Sequence, residues 1–135
     1  MLVWSSITTT AAVVVIDETV SIVDFLHDSC RFFAHESCGQ CTPCREGTSW
    51  SLRLLERIKA GKGRLKDLDI LLEIGSTMGM MPGSTICGLV DGAAWPIKNA
   101  IKKFRGEFED TIKRTNPSGW MVTDPVPALP IVGAH

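Results

Sequence analysis

The sequence lacks an excess of charge of either sign. Its 135 residues carry 14 Lys and Arg against 15 Asp and Glu, giving a formal net charge of -1. Because a nucleic-acid-binding surface needs a strongly basic footprint, this balance argues against a DNA or RNA partner. A basic cluster within residues 98–105 is followed at once by acidic residues, which favours a solvated helix face over docking onto an acidic partner protein.

The sequence also lacks an apolar run long enough to span a membrane. Ser and Thr residues interrupt the first sixteen residues, and Asp17 ends them, whereas a spanning helix needs about 20 predominantly apolar residues. No basic residues precede this stretch, and no small-residue cleavage site is evident, so a signal peptide is not indicated. We therefore expect no direct membrane span in this chain.

Two common glycine-rich nucleotide-binding motifs are missing as well. The chain has no G-x-G-x-x-G after a predicted strand and no G-x-x-x-x-G-K-[ST] loop. Hydride transfer needs a bound nicotinamide or flavin, and no residues here indicate such a site. We expect that this chain cannot carry out hydride chemistry alone.

The hydrophobic pattern that is present predicts an all-α protein, an up-and-down bundle of four amphipathic helices. The predicted helices begin at Asp17, at Pro43 with Thr42 as cap, near Arg64, and at Pro96. Gly61 and Gly63 are expected to end the second helix, and Gly75 should allow a neighbour to approach the third closely. The predicted buried faces are Ile22, Leu26, Cys30 and Phe33; Trp50, Leu54 and Ile58; Leu65, Leu68, Leu72 and Gly75; and Ile97, Ile101, Phe104, Phe108 and Ile112.

The pattern divides the chain into three regions. Residues 1–16 are predicted to be an N-terminal strand and linker, with a strand at 11–16 whose pairing partner is expected outside this chain. The alternative is a terminal segment packed irregularly on the bundle. Residues 17–115 form the predicted bundle. Residues 116–135 are a Pro-rich irregular tail that is either disordered or laid against a partner, with Trp120 as a candidate anchor.

The five cysteines are unevenly distributed. An odd number argues against a disulfide framework. Cys38, Cys41 and Cys44 lie within seven residues, Cys87 is distant, and Cys30 falls on the apolar face of the first predicted helix. Cys30 is therefore expected to be a small buried hydrophobe, and the other four to be metal ligands.

The run C-x2-C-x2-C with one remote cysteine is typical of a [4Fe–4S] cluster, for which Cys38, Cys41, Cys44 and Cys87 are the predicted ligands. A four-cysteine zinc site is the alternative, but it commonly uses two separated C-x2-C pairs. The short connections place the loop between the first two helices beside the loop between the last two. That topology predicts four thiols at one end of the bundle.

Three residues between the cysteines are predicted to tune the site. Gly39 permits a turn that a side chain would obstruct, Thr42 lies at the start of the second helix, and Arg45 adds positive charge. The amides at this helix start should stabilise negative charge on the sulfurs. His35 is expected to be a hydrogen-bonding neighbour and not a ligand.

The sequences HESCGQCTPCREG, at residues 35–47, and TICGLVDGAAWP, at residues 85–96, resemble a known family. They are similar to the C-terminal [4Fe–4S] domain of the 51 kDa type of subunit, the flavin-carrying, NADH-oxidising component of respiratory complex I. VIDET (15–19) and KFRGEFE (103–109) fit the same region. The resemblance spans roughly residues 11–112; residues 1–10 and the tail depart from it.

The resemblance implies that the four cysteines hold a cluster that relays single electrons from FMN toward quinone, within an NADH dehydrogenase. It implies FMN and NADH on a further domain or partner chain. It also implies partners such as a [2Fe–2S] thioredoxin-like subunit and a large iron–sulfur subunit. The expected location is the cytoplasmic or mitochondrial matrix face, peripheral to the membrane.

Other hypotheses remain open at this level. The chain could be part of the diaphorase of an NAD-linked hydrogenase or formate dehydrogenase, which are relatives of the same family. It could also be a structural or assembly protein in which the metal merely staples the bundle. A self-contained enzyme is disfavoured, because no convergent acid–base residues are evident.

Overall fold

The computed structural model describes residues 5–9, 12–79 and 85–118, with side chains from residue 14 onward. Along the chain the elements are β1 (Ser5–Thr9), β2 (Ala12–Ile16), α1 (Ile22–Glu36), α2 (Thr42–Lys59), α3 (Leu65–Thr77) and α4 (Leu89–Thr115). The predicted four-helix architecture is confirmed. No helix in the described ranges is both long and apolar enough to cross a membrane.

Some predictions fall outside these ranges. Outside them lie Met80 and Met81, whose flexible side chains predict core filler, the turn that Pro82 predicts, and the tail beyond residue 118 with Trp120. Met78, the remaining methionine of that segment, is buried in the core as expected of a flexible filler.

The N-terminal segment is a hairpin, and the prediction of a partner outside the chain was wrong. β1 and β2 pair antiparallel, with Ser5 opposite Ile16 and Thr9 opposite Ala12. β1 also lies against α4. The main-chain groups of β2 that face β1 are therefore paired within the chain. β1 was not predicted because it is rich in Ser and Thr and lacks the apolar run that indicates a strand.

α1 begins later than predicted. Its N-cap is Ser21, whose hydroxyl accepts from the Asp24 N–H at 3.4 Å. Asp17 instead accepts from the N–H and hydroxyl of Thr19, which bends the chain before the helix. Those two hydrogen bonds, the side-chain one first, lower the pKa of the exposed Asp17 carboxyl below its usual value. The predicted face of α1 holds, with Ile22, Leu26 and Cys30 buried.

The start of α4 is the largest departure. Pro96 was expected at the helix start, but α4 begins seven residues earlier, at Leu89, and Pro96 lies inside it. An internal proline costs a backbone hydrogen bond. The cost is offset by the apolar surface of the preceding turn, because Val90, Ala93 and Ala94 are all buried. The helix deviates only at Phe104, where φ is -120° and ψ is 25°.

Two side chains of α2 face differently from the prediction. Trp50 was assigned to the core and is 43% exposed, while Leu55 and Ser51 are fully buried in its place. Arg57 lies on the face of α2 that the same spacing predicts to be exposed to water, yet it is only partly exposed and pairs with the buried carboxylate of Asp67. The true buried face is rotated, since α2 packs against α1, α3 and α4 together.

The four helices pack around one core. α1 lies against α2 and α4, and α3 lies against α4 and α2. Gly75 makes the predicted close approach, because a Cβ there would lie 3.1 Å from the Ile97 Cγ2 atom of α4. The largest fully buried side chains are Phe108, Ile22, Leu26, Leu55, Ile58, Leu68, Leu71, Ile97, Ile101, Ile112 and Val90.

Candidate metal centre

The loop between α1 and α2 carries three of the predicted ligands. Ser37 is the C-cap of α1, and its N–H donates to the Phe33 carbonyl at 3.1 Å. Gly39 then adopts a φ of 77°, the left-handed conformation in which glycine carries no Cβ penalty, so the predicted turn is confirmed. Cys41 is the extended N-cap of α2. Cys44 therefore lies in the first turn of α2, near the positive end of the helix dipole.

The loop before α4 reaches the first loop through a direct contact. The Ile86 N–H donates to Cys41 Sγ at 3.3 Å. These two residues are 45 positions apart in sequence, and Cys87 is the next residue. The segment bearing the remote cysteine therefore lies beside the three-cysteine loop, at the end of the bundle that the topology predicts.

A second hydrogen bond reaches the sulfur of a candidate ligand from the end of α1. Ser37 Oγ lies 3.3 Å from Cys44 Sγ. Cys44 is 8% exposed, and its carbonyl accepts from the buried Thr48 hydroxyl at 2.8 Å. Cys44 is thus fixed both by its sulfur and by its backbone.

The four candidate ligands differ in exposure. Cys38 and Cys87 are exposed, Cys41 is half-buried and Cys44 is buried, and all four are free thiols. In the part of the chain that the structure describes, no three His, Cys, Asp or Glu side chains lie close enough to hold one metal ion. The structure brings the two cysteine loops into contact; it does not show a closed ligand set.

The predicted tuning residues form one hydrogen-bonded group. Arg45 Nη1 donates to the Gly39 carbonyl at 2.7 Å, and Arg45 Nη2 lies 3.5 Å from Thr42 Oγ1. Arg45 also donates to Glu46 at 3.2 Å, which partly offsets its charge. Arg45 therefore braces the Gly39 turn more directly than it supplies positive charge. The exposed His35 ring lies 3.3 Å from the neighbouring Glu36 carboxylate, so its contact is with that group.

The fifth cysteine is in a different environment. Cys30 is 4% exposed within the core, as predicted from its place on the helix face. Desolvation by burial raises the pKa of its thiol to about 12, so the reactive thiolate is disfavoured. Cys30 is a packing residue.

Two groups that contact the sulfurs were not predicted, Ser37 and the Ile86 amide. Ser37 directly precedes Cys38, so its position next to the cysteine run was a usable signal. The Ile86 N–H carries no such signal, because any non-proline residue supplies a main-chain donor and only the fold decides which one meets a sulfur.

The residues fit an iron–sulfur group in their chemistry. The donor set is four free thiols on two touching loops. Two of the sulfurs already have hydrogen-bond partners of the kind that stabilise anionic thiolates. The helical bundle and the two cysteine-bearing loops at one end together place the chain in the class of iron–sulfur-binding domains.

The family comparison agrees with this class. Residues 24–111 match the family model described as the NADH-ubiquinone oxidoreductase-F iron-sulfur binding region, a 4Fe-4S family. Because the match covers more than half of the chain, the chain belongs to this family, and the predicted resemblance and [4Fe–4S] cofactor are confirmed.

Curated relatives of this chain are also named as subunits of NADH oxidoreductases. The chain is 43% identical over 117 residues to the F subunit of NADH-quinone oxidoreductase in Rhodobacter capsulatus, covering 85% of this chain and 26% of that protein. It is 42% identical over 104 residues to the mitochondrial NADH-ubiquinone oxidoreductase 51 kDa subunit of Aspergillus niger, covering 77% and 20%. The chain thus spans about a quarter or less of the length of these relatives, which are subunits of a multi-subunit oxidoreductase.

Solved structures extend the likeness to another complex. The chain matches a crystal structure of NAD+-reducing [NiFe]-hydrogenase in the H2-reduced state with a TM-score of 0.65 and 37% identity, covering 74% of this chain and 17% of that chain. The air-oxidised state gives a TM-score of 0.67 at 34% identity, covering 86% and 18%.

Proposed function

We propose that this chain is the electron-transfer module of an NADH:quinone oxidoreductase of the complex I type, and that Cys38, Cys41, Cys44 and Cys87 hold its [4Fe–4S] cluster. The observation that carries the ligand assignment is the 3.3 Å hydrogen bond from the Ile86 N–H to Cys41 Sγ. It joins the loop of the fourth cysteine to the loop of the other three. When bound, such a cluster supplies one-electron acceptance and donation.

The chain's own residues have distinct roles in this proposal. The buried Cys44 and half-buried Cys41 anchor the site on the start of α2, where the helix dipole favours negative charge. The exposed Cys38 and Cys87 occupy its outer side. The outer side is the one from which an electron donor or acceptor can approach. Arg45 and Gly39 keep the loop in the required turn.

We propose the partners that the family resemblance implies. A domain or subunit that binds FMN and NADH supplies electrons, and a [2Fe–2S] thioredoxin-like subunit and a large iron–sulfur subunit complete the assembly. The proposed location of the chain is the cytoplasmic or matrix face of the membrane, to which the chain is attached through the complex.

The ligand assignment is tested by anaerobic reconstitution with iron and sulfide, followed by low-temperature EPR of the reduced protein. We expect one reducible cubane per chain in the wild type. Cys38→Ser, Cys41→Ser, Cys44→Ser and Cys87→Ser should each lose cluster or yield an altered spectrum. The matched control is Cys30→Ala, which removes the one thiol outside the site and should leave the spectrum unchanged. One zinc per chain in anaerobically purified protein, with no cluster formed, would overturn the proposal.

The relay role needs a separate experiment. The reconstituted chain is mixed with a flavoprotein that binds FMN and NADH, and the cluster EPR signal is followed after NADH addition. Reduction of the cluster only when both proteins are present supports the relay. A cluster that dithionite reduces but NADH never does, in any such mixture, favours a structural or assembly role.

A second candidate is favoured by the hydrogenase likeness. At 37% identity and a TM-score of 0.65, the chain also fits the diaphorase part of an NAD-linked hydrogenase. Co-purification distinguishes the two: a quinone-reducing complex supports the first, and a nickel-containing partner supports the second.

A further inference from the structure

We propose that the Ser37 hydroxyl is a positioning and tuning residue that donates a hydrogen bond to the Cys44 ligand sulfur and raises the reduction potential of the site. This inference rests on the proposed function, because it takes Cys44 to be a ligand. The observation that carries it is the 3.3 Å distance between Ser37 Oγ and Cys44 Sγ.

The surrounding hydrogen bonds fix the direction of this one. The Gly39 N–H donates to Ser37 Oγ at 3.4 Å, so the oxygen already accepts and its own proton is available to donate. A ligand cysteine is a thiolate and carries no proton to give. The hydroxyl is therefore the donor, and Cys44 Sγ is the acceptor.

Burial makes this contact effective. Cys44 is the least exposed of the four candidate ligands, and Ser37 is partly buried beside it. A hydrogen bond in such surroundings is less screened by water than one at an exposed sulfur such as that of Cys38 or Cys87. Removal of the Ser37 hydroxyl should therefore weaken the stabilisation of negative charge on Cys44 Sγ, the sulfur that water is least able to stabilise in its place.

The sign of the effect follows from charge. Reduction adds one negative charge to the group that the sulfurs hold, so a donor to a sulfur stabilises the reduced state more than the oxidised state. Removing the donor should lower the midpoint potential. The position of Ser37 at the end of α1 is held by its own backbone N–H to the Phe33 carbonyl, which a side-chain substitution leaves in place.

The test is an EPR-monitored redox titration of the full reconstituted chain. Ser37→Ala should bind the cluster and show a lower midpoint potential than wild type. We expect the equilibrium constant for reduction to fall by roughly three- to tenfold, tenfold being about 59 mV for a one-electron couple. Ser29→Ala is the matched control: it removes a partly buried hydroxyl of α1 that donates to the Phe25 carbonyl and should leave the potential unchanged.

An isosteric pair keeps the test decisive if Ser37→Ala assembles poorly. Ser37→Thr retains the hydroxyl and Ser37→Val does not, while the two side chains have nearly the same shape. A native potential in the Thr variant with a lowered one in the Val variant supports the proposal. Equal potentials in that pair, or a Ser37→Ala potential equal to wild type, overturn it. These results leave the ligand assignment intact, whereas a wild-type chain that binds no cluster overturns the proposed function itself.

Discussion

The two ends of the helical bundle are held together in different ways. At the site end, formed by residues 37–45 and 85–88, the two loops meet through the hydrogen bond from the Ile86 N–H to Cys41 Sγ, and Ile86 is 83% exposed. At the opposite end, which we call the ion-pair end and which comprises residues 57–67 and 116, a buried carboxylate joins two helices. Asp67 pairs with Arg57 and accepts from the Arg64 N–H at 2.9 Å.

The difference indicates a division of labour. The contacts described at the ion-pair end join residues of this chain to one another. Asn116 at the end of α4 also donates to the Gly63 carbonyl there at 2.9 Å. The site end leaves thiols and an apolar side chain exposed. We infer that the ion-pair end stabilises the bundle while the site end remains available for a cluster and its neighbours.

Removing the buried carboxylate should have the largest effect. We expect Asp67→Ala to lower the free energy of unfolding by about 3 kcal/mol, because two arginines lose their buried partner. Urea denaturation monitored by circular dichroism measures this. Cluster binding per folded chain should be unchanged. Loss of the cluster in fully folded protein would contradict the inference that the two ends have independent roles.

The buried Cys30 thiol, which lies between the two ends, should make the free energy of unfolding decrease at alkaline pH. Burial raises the pKa of Cys30 from 9.0 to about 12, so its contribution is fully present below the unfolded value and is lost as the pH rises toward the folded value. Between about pH 8 and about pH 10.5, wild type should lose about 2 kcal/mol more than Cys30→Ala. Denaturation under reducing conditions at several pH values measures the difference. Parallel curves for the two proteins would contradict it.

Two glycines with positive φ provide a matched pair, one at each end. Gly61 has a φ of 75° and Gly39 a φ of 77°, so alanine at either position should cost about 1 kcal/mol of backbone strain. We expect Gly61→Ala to lower only stability, whereas Gly39→Ala should also lower the fraction of chains that take up the cluster. Iron content after reconstitution measures this. Equal iron content in both variants would show that the Gly39 turn does not position the ligands.

An exposed ion pair should have the smallest effect. Asp69 accepts from Arg105 at 2.8 Å, but both side chains are well exposed, and Arg105 also donates to Glu109. Asp69→Ala should therefore change the free energy of unfolding by less than about 1 kcal/mol. It serves as the control for Asp67→Ala in the same denaturation series. A loss as large as that of Asp67→Ala would remove the distinction between buried and exposed pairs.

Much of the fold could be predicted because its signals are local. Helical spacing identified the buried faces of α1 and α4, and glycine identified both left-handed turns, at Gly39 and Gly61. The wrong prediction for the start of α4 is a case in which tertiary contacts outweigh a local signal. Pro96 would end a helix in isolation, yet burial of the preceding turn extends α4 across it.

The predictions for the candidate site also divide into features that sequence spacing and topology indicate and contacts that depend on the completed fold. Cysteine spacing predicted the four ligands, and the topology predicted that Cys87 would approach the other three, which the contact of Ile86 with Cys41 supports. The donors to sulfur were missed. Ser37 reaches Cys44 only because α1 ends where it does, and the Ile86 amide reaches Cys41 only after α4 has packed.

The 45-residue separation between Cys41 and Ile86 has a consequence for assembly. In the proposed site, three of the ligands belong to a single loop, but Cys87 approaches them only when the intervening helices have docked and the entropy of closing that long segment has been overcome. We therefore expect cluster uptake to follow the docking of the helices. A chain arrested before docking would present only three of the proposed ligands together, and we expect it to take up iron incompletely.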